Sequence, residues 1–197
     1  MRLFIAINLP ENVKDTIEKI TNDSKISINQ RVNQHKSAAE IRFLPKKNWH
    51  LTITFLGYQP PEAVGPILKS LEKTASCFNP LWINFESISY GPPGNSARMI
   101  WLAGAKETSE DLNELKTELD KSLIENGVRF KLENRLFNAH LTLARFSNAL
   151  GKMPDNLIAP LPLSFKAKGL DLMESRLKRS GAEYESISNF VFKGLKR

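Results

Sequence analysis

The sequence predicts an α+β protein in which two similar lobes share a groove. Three observations predict it. The tetrapeptide His-Leu-Thr-aliphatic occurs twice, as His50-Leu51-Thr52-Ile53 and His140-Leu141-Thr142-Leu143, 90 residues apart in a chain of 197. Both copies lie in apolar, β-forming sequence, Trp49 to Leu56 and Ala139 to Phe146. Strand-like and helix-like periodicities also alternate in the same loose order in the two halves. No low-complexity linker separates the halves, so residues 1–197 read as one domain.

Element by element, Arg2 to Leu9 reads as a buried first strand. Pro10 suits the first turn of a helix, where a missing N–H has no partner to lose. Val13, Ile17 and Ile20 continue that helix. Thr21 to Glu40 is polar and reads as a frayed helix end and a mobile surface loop with a solvated His35. Ile41 to Leu44 is a short strand ending before Pro45. The first His-Leu-Thr strand then runs to Gly57. Pro60-Pro61 opens a second helix with Val64, Ile67, Leu68, Leu71 and Ala75 on one stripe. Leu81 to Tyr90 and Ala97 to Ala103 are strands joined by the turn Gly91-Pro92-Pro93-Gly94. Thr108, with Asp111 three residues on, resembles a capping box. Leu112, Leu115, Leu119 and Leu123 follow at helical spacing, and Gly127 ends that helix. After the second His-Leu-Thr strand and a loop through Gly151 and Pro154, Leu161 to Met173 and Tyr184 to Phe192 form a final strand pair.

Apolar content of 41% and charged content of 25% are ordinary for a globular protein able to bury a sizeable core. The single cysteine, Cys77, excludes an intrachain disulfide and reads as a core residue; it is compatible with a reducing, cytoplasmic setting. The N-terminal apolar run is too short for a signal peptide, and no run approaches a membrane span. A net charge of +7 favours a polyanionic partner. Basic residues are scattered, with some enrichment in the last third.

In a strand, alternating side chains put His-x-Thr on one face, an imidazole and a hydroxyl about 6.5–7 Å apart. Two such pairs make a pocket suited to acid–base work on an oxyanion. Two imidazoles flanking a phosphorus can divide the tasks, one taking a proton from water and the other protonating the departing oxygen. Threonine hydroxyls can donate to nonbridging oxygens as their charge grows. A lone strand histidine is more often structural, but a repeated frame holding two of the chain's three histidines favours function. No zinc-ligand spacing, Walker segment or nucleotide-binding loop is present, so no metal and no cofactor is expected.

These segments resemble the two-histidine (2H) phosphoesterase superfamily, in its RNA 2′,3′-cyclic phosphodiesterase (2′-5′ RNA ligase-like) branch. The resemblance spans nearly the whole chain. It includes Met1 to Ile7, Trp49 to Gly57, Phe137 to Arg145, and Leu172 to Leu177 followed by Gly181 and Tyr184. It implies a bilobal, pseudo-twofold α+β fold with two antiparallel sheets flanked by helices and a central groove. It also implies metal-independent opening of RNA-terminal 2′,3′-cyclic phosphate to a 2′-phosphate. The matching positions are His50 and His140 as catalytic residues, with Thr52, Thr142 and Arg145 binding phosphate. By resemblance His140 is the base for water and His50 the acid for the 3′ oxygen. Arg145 lies at an odd offset from His140 and reaches the groove only if the strand ends or bulges near Ala144. The family usually has proline before the second histidine, where this chain has Ala139.

The implied partners are RNA 3′ ends bearing the cyclic phosphate, tRNA fragments among them, met by a cytoplasmic monomer with no membrane partner. Phe4, Tyr58 and Trp101 are aromatic candidates for stacking on a terminal base, although Phe4 and Trp101 suit a core as well. Lys46, Lys47, Arg98, Arg135 and Lys152 are candidate rim cations. Three other readings stay open: a noncatalytic RNA-end binder, 2′-5′ RNA ligation by the same acid–base pair, and, within the superfamily, action on a small cyclic nucleotide such as a nucleoside 1″,2″-cyclic phosphate.

Overall fold

The computed structural model describes residues 1–34, 40–93, 96–133, 135–150, 156–158, 163–178 and 181–194. Its elements run in the order β1 (Arg2–Asn8), α1 (Glu11–Gln34), β2 (Ile41–Phe43), β3 (His50–Tyr58), α2 (Val64–Cys77), β4 (Leu81–Gly91), β5 (Met99–Gly104), α3 (Lys106–Glu125), β6 (His140–Phe146), β7 (Asn156–Ile158), β8 (Leu163–Ala167), β9 (Gly169–Lys178) and β10 (Gly181–Val191). Short 3₁₀ turns precede β3 and α2.

Two antiparallel sheets result. One has the order β10-β9-β1-β3. The other runs β2-β6-β5-β4-β7, with β8 also pairing to β4. Strand alternation gives each sheet two faces. Leu3, Ile5, Ile7, Leu51 and Ile53 of the first sheet join Ile100, Leu102, Leu141 and Leu143 of the second in one contiguous core. Helices α2 and α3 pack against each other and contribute Ile67, Leu71, Leu112, Leu115, Leu119 and Leu123 to that core. On the opposite face of the first sheet, Phe4, Ala6 and Met173 form a second small cluster with Tyr184 packed on it. This face and its counterpart on the second sheet border the groove.

Several expectations are corrected. The first helix continues to Gln34, because Val13, Ile17, Thr21 and Ile28 are buried on one stripe. That stripe holds about one apolar residue per turn, too narrow to stand out in a polar sequence. His35, Gly151, Lys152 and Pro154 lie outside the described residues. The expected last pair of strands is three, since Lys168 separates β8 from β9. Thr108 is no cap. The α3 N-cap is Ala105, and the buried Thr108 hydroxyl accepts the Asn84 N–H at 2.9 Å. Cys77 is an exposed free thiol at the end of α2, not a core residue. Gly127, with φ of 75°, does end α3: its N–H reaches the Ile124 carbonyl while Val128 N–H reaches Leu123.

Candidate active site

The two His-Leu-Thr segments open β3 and β6, and both strands carry the same irregularity. In β3 the partners pass from Ala6↔Thr52 to Ile5↔Thr54, leaving Ile53 unpaired. In β6 they pass from Trp101↔Thr142 to Ile100↔Ala144, leaving Leu143 unpaired. Each is a bulge, and a bulge shifts the alternation by one residue. Consecutive buried residues mark it, Ile53-Thr54 and Leu143-Ala144. After it, residue +5 from each histidine returns to the histidine's own face. In the second sheet that residue is Arg145; in the first it is Phe55, 59% exposed. The geometric objection to Arg145 is thereby removed.

Both imidazoles are half-buried, and Arg145 bears on each of them. Burial above all, with Arg145, His140 and Lys14 adding to it, pushes the His50 imidazole down to about 4 against a hydrogen bond to the Asn48 carbonyl. His140 is also lowered, first by burial; a hydrogen bond to the Asn138 carbonyl opposes this, and Arg135 and Arg145 add to the lowering. His140 Nδ1 lies 2.8 Å from the Asn138 carbonyl oxygen. A carbonyl only accepts, so this bond places the proton on Nδ1 and leaves Nε2 as the basic nitrogen. The carbonyl two residues upstream serves both rings. The residue there is asparagine in both copies, Asn48 and Asn138, so the sequence repeat extends two residues upstream, although a backbone carbonyl does not itself require asparagine.

Aromatic contacts hold the rings. His140 stacks on Trp101 with centroids 3.8 Å apart and planes at 22°. The indole lies tight against Gly91, where an added Cβ would stand 2.1 Å from Trp101 Cδ2. His50 lies 4.9 Å from both Phe4 and Tyr184. Of the expected stacking candidates, Phe4 is 2% exposed and Trp101 6%, so both are platforms beneath imidazoles. Tyr58 is 78% exposed near the end of β3. Phe55 and Tyr184 are the groove aromatics that sequence reasoning missed, since the bulge and the β10 register place them.

Thr52 and Thr142 follow their histidines on the same face, each half-buried. The Thr142 hydroxyl lies 3.9 Å from Met99 Sδ, and Arg145 Nη1 lies 3.5 Å from the same sulfur. Thr142, Arg145 and Met99 thus line one patch. Ala139, at the usual proline position, is fully buried. Its N–H, which proline lacks, donates to Ser109 Oγ at 3.1 Å, while Asn113 Oδ1 accepts Phe137 N–H at 3.2 Å. Helix α3 thereby fixes the approach to His140 by hydrogen bonds rather than by a ring.

The rim cations divide. Lys46 is held by Glu11, Asp15 and Glu18 of α1, Lys47 lies 3.8 Å from Glu183, and Arg135 pairs with Glu133. Arg135 alone of these acts on a candidate imidazole. Arg98 is exposed beside β5. Among the described residues, no three His, Cys, Asp or Glu side chains are grouped to hold a metal ion, and no helix is long and apolar enough to cross a membrane.

A family model described as LigT like phosphoesterase matches residues 8–101 and 103–184. A Methanocaldococcus jannaschii protein named RNA 2′,3′-cyclic phosphodiesterase is 30% identical over 195 residues, covering 96% of this chain and 100% of its own. A Thermus thermophilus protein of the same name is 28% identical, covering 98% and 91%. The solved structure of E. coli LigT complexed with 3′-AMP matches at a TM-score of 0.73 and 20% identity over 98% of each chain. Kluyveromyces marxianus Usb1 matches at 0.55 and 12% identity over 94% and 96%. At these identities the structures speak for the fold, and the family match and the archaeal relative decide membership: the chain belongs to the LigT-like phosphoesterase family.

Proposed function

We propose that this protein hydrolyses RNA-terminal 2′,3′-cyclic phosphate to a 2′-phosphate, with His50 and His140 as acid and base and Thr52, Thr142 and Arg145 binding the phosphate. The observation that carries the reading is the paired site itself. Two imidazoles enter from equivalent strand starts, each followed on its own face by a threonine, and Arg145 bears on both. The relatives' shared name supports the substrate class.

The step follows from the groups present. His140 Nε2 takes a proton from water as its oxygen attacks phosphorus. Negative charge grows on the nonbridging oxygens, which accept from the Thr52 and Thr142 hydroxyls and the Arg145 guanidinium. The P–O3′ bond breaks, and protonated His50 delivers its proton to O3′. The product carries a 2′-phosphate and a free 3′-hydroxyl. With a 5′-hydroxyl in place of water, the same step makes a 2′–5′ linkage, the ligase direction.

His50 is neutral at pH 7 in the free protein, because burial and neighbouring cations disfavour its charge. The anionic cyclic phosphate reverses this balance, so substrate binding and protonation of the acid are coupled. The +5 positions orient the substrate. Arg145 draws the phosphate, and exposed Phe55 offers an aromatic face to the unpaired terminal base. One chain supplies both imidazoles, which supports action as a monomer. The partners of this reading are cytoplasmic RNA 3′ ends, tRNA fragments included.

The test is incubation of an oligoribonucleotide 2′,3′-cyclic phosphate with the protein in EDTA, resolving the product isomers. A 2′-phosphate is expected. A 3′-phosphate overturns the assignment of the leaving oxygen, and an unreacted substrate overturns the enzyme reading.

A further inference from the structure

Strand β2 places a second arginine beside Arg145. Its three residues pair with β6 as Ile41↔Phe146, Arg42↔Arg145 and Phe43↔Ala144. Directly opposed residues of an antiparallel pair share a face. Ile41 and Phe43 pack on the core, so Arg42 points to the groove face with Arg145. Neighbouring strands are about 4.8 Å apart, which sets Arg42 one strand farther from the imidazoles than Arg145.

The guanidinium also has a definite location. A Cβ built on Gly181 would stand 2.4 Å from Arg42 Nη2. Gly181 begins β10, which belongs to the other sheet, and its φ of 128° further disfavours a side chain there. Arg42 therefore reaches from the second sheet across the groove mouth to the backbone of the first. The neighbouring Ala182 carbonyl accepts Asn48 Nδ2 at 2.9 Å, which ties this end of β10 to the turn that leads into His50.

We infer that Arg42 binds the phosphodiester on the 5′ side of the terminal nucleotide, making the groove a reader of RNA strand ends rather than of isolated cyclic nucleotides. This rests on the proposed cyclic phosphodiesterase reading. Arg145 holds the reacting phosphate, and Arg42, one strand outward at the groove mouth, meets the next negative charge along the chain. A guanidinium suits this task because its planar donors grip phosphate oxygens in pairs. Arg42 is thus a specificity residue outside the acid–base machinery.

The experiment compares wild type, Arg42→Gln and Arg42→Lys on two substrates, a nucleoside 2′,3′-cyclic monophosphate and a dinucleotide ending in the same cyclic phosphate. The expected result is a roughly tenfold loss of kcat/KM for Arg42→Gln on the dinucleotide, with the mononucleotide within about twofold of wild type. Arg42→Lys recovers part of the loss. The salt dependence on the dinucleotide becomes shallower in Arg42→Gln by about 0.7 in the log–log slope, one phosphate contact on a single strand. Equal losses on both substrates overturn the inference in favour of a structural clamp between β2 and β10, and no loss on either overturns it outright. Wild-type turnover separates the two claims. Failure of the wild-type protein on both substrates sinks the hydrolase reading and this inference with it; wild-type activity without discrimination by Arg42→Gln sinks the inference alone.

Discussion

The support beneath β3 yields a prediction whose size can be worked out from the structure. Thr54 follows the bulge and faces the core, where its hydroxyl donates to Asp120 Oδ1 at 2.7 Å. Lys116 Nζ lies 2.5 Å from Asp120 Oδ2 and 3.3 Å from the Thr54 hydroxyl. Both charged side chains are 8% exposed. Asp120→Ala would leave the Lys116 ammonium buried with a single neutral partner, and breaking a buried pair from one side costs about 3–5 kcal/mol. Lys116 and Asp120 also line a cavity of about 380 Å³. Water entering there solvates the orphaned ammonium, which puts the expected loss near 3 kcal/mol. Replacing all three polar groups by apolar ones of similar size (Thr54→Val, Lys116→Met, Asp120→Leu) removes the desolvation burden with the attraction and costs under about 1 kcal/mol. Urea denaturation at pH 7 followed by tryptophan fluorescence reads both, as midpoint shifts at constant slope. A loss below about 1 kcal/mol for Asp120→Ala, or a triple variant as unstable as the single one, refutes the reasoning.

Three further outcomes follow from the site. His50 in the folded protein titrates at about 4, below its ordinary 6.5. The unfolded chain thus binds the proton first as pH falls, so stability declines between about pH 6.5 and pH 4 by roughly 3 kcal/mol; His50→Gln flattens that part of the denaturation profile, and an unchanged slope contradicts the burial. Arg145 lowers both imidazoles, so Arg145→Gln raises both pKa values in an NMR titration and weakens inorganic phosphate binding. Unmoved titrations would place Arg145 outside the groove. Gly91→Ala forces a Cβ into the Trp101 indole, costing about 1–3 kcal/mol as overpacking and lowering turnover by disturbing the stack on His140. Normal stability and turnover would show that Trp101 is no platform.

Much of this was legible in the sequence, and the particulars show why. Leu112, Leu115, Leu119 and Leu123 announced α3 because a four-residue stripe needs only helical periodicity. The twin His-Leu-Thr segments announced the site because alternation fixes their faces over three residues. Beyond that range alternation misleads. The bulges at Ile53 and Leu143 carry no glycine and no other residue signature, so the return of Phe55 and Arg145 to the groove needed the strand register. Arg42 was invisible for the same reason, since its meaning lies in the residue opposite it and in Gly181, 139 positions away. Ile28 extended α1 through polar sequence by burying one residue that local pattern could not place. The Ser109 and Asn113 bonds that replace a proline ring at Ala139 depend on α3 packing beside β6, a tertiary fact.

The central claim is that His50 and His140 act as a unit on one phosphate. Single-turnover hydrolysis of an RNA 2′,3′-cyclic phosphate by His50→Ala, His140→Ala and the double variant tests it most directly. The account predicts a loss of about 10²–10⁴-fold for each single change and a double variant scarcely slower than the slower single, as expected of groups serving one transition state. Near-wild-type turnover in either single variant, or fully multiplicative losses in the double, would contradict it.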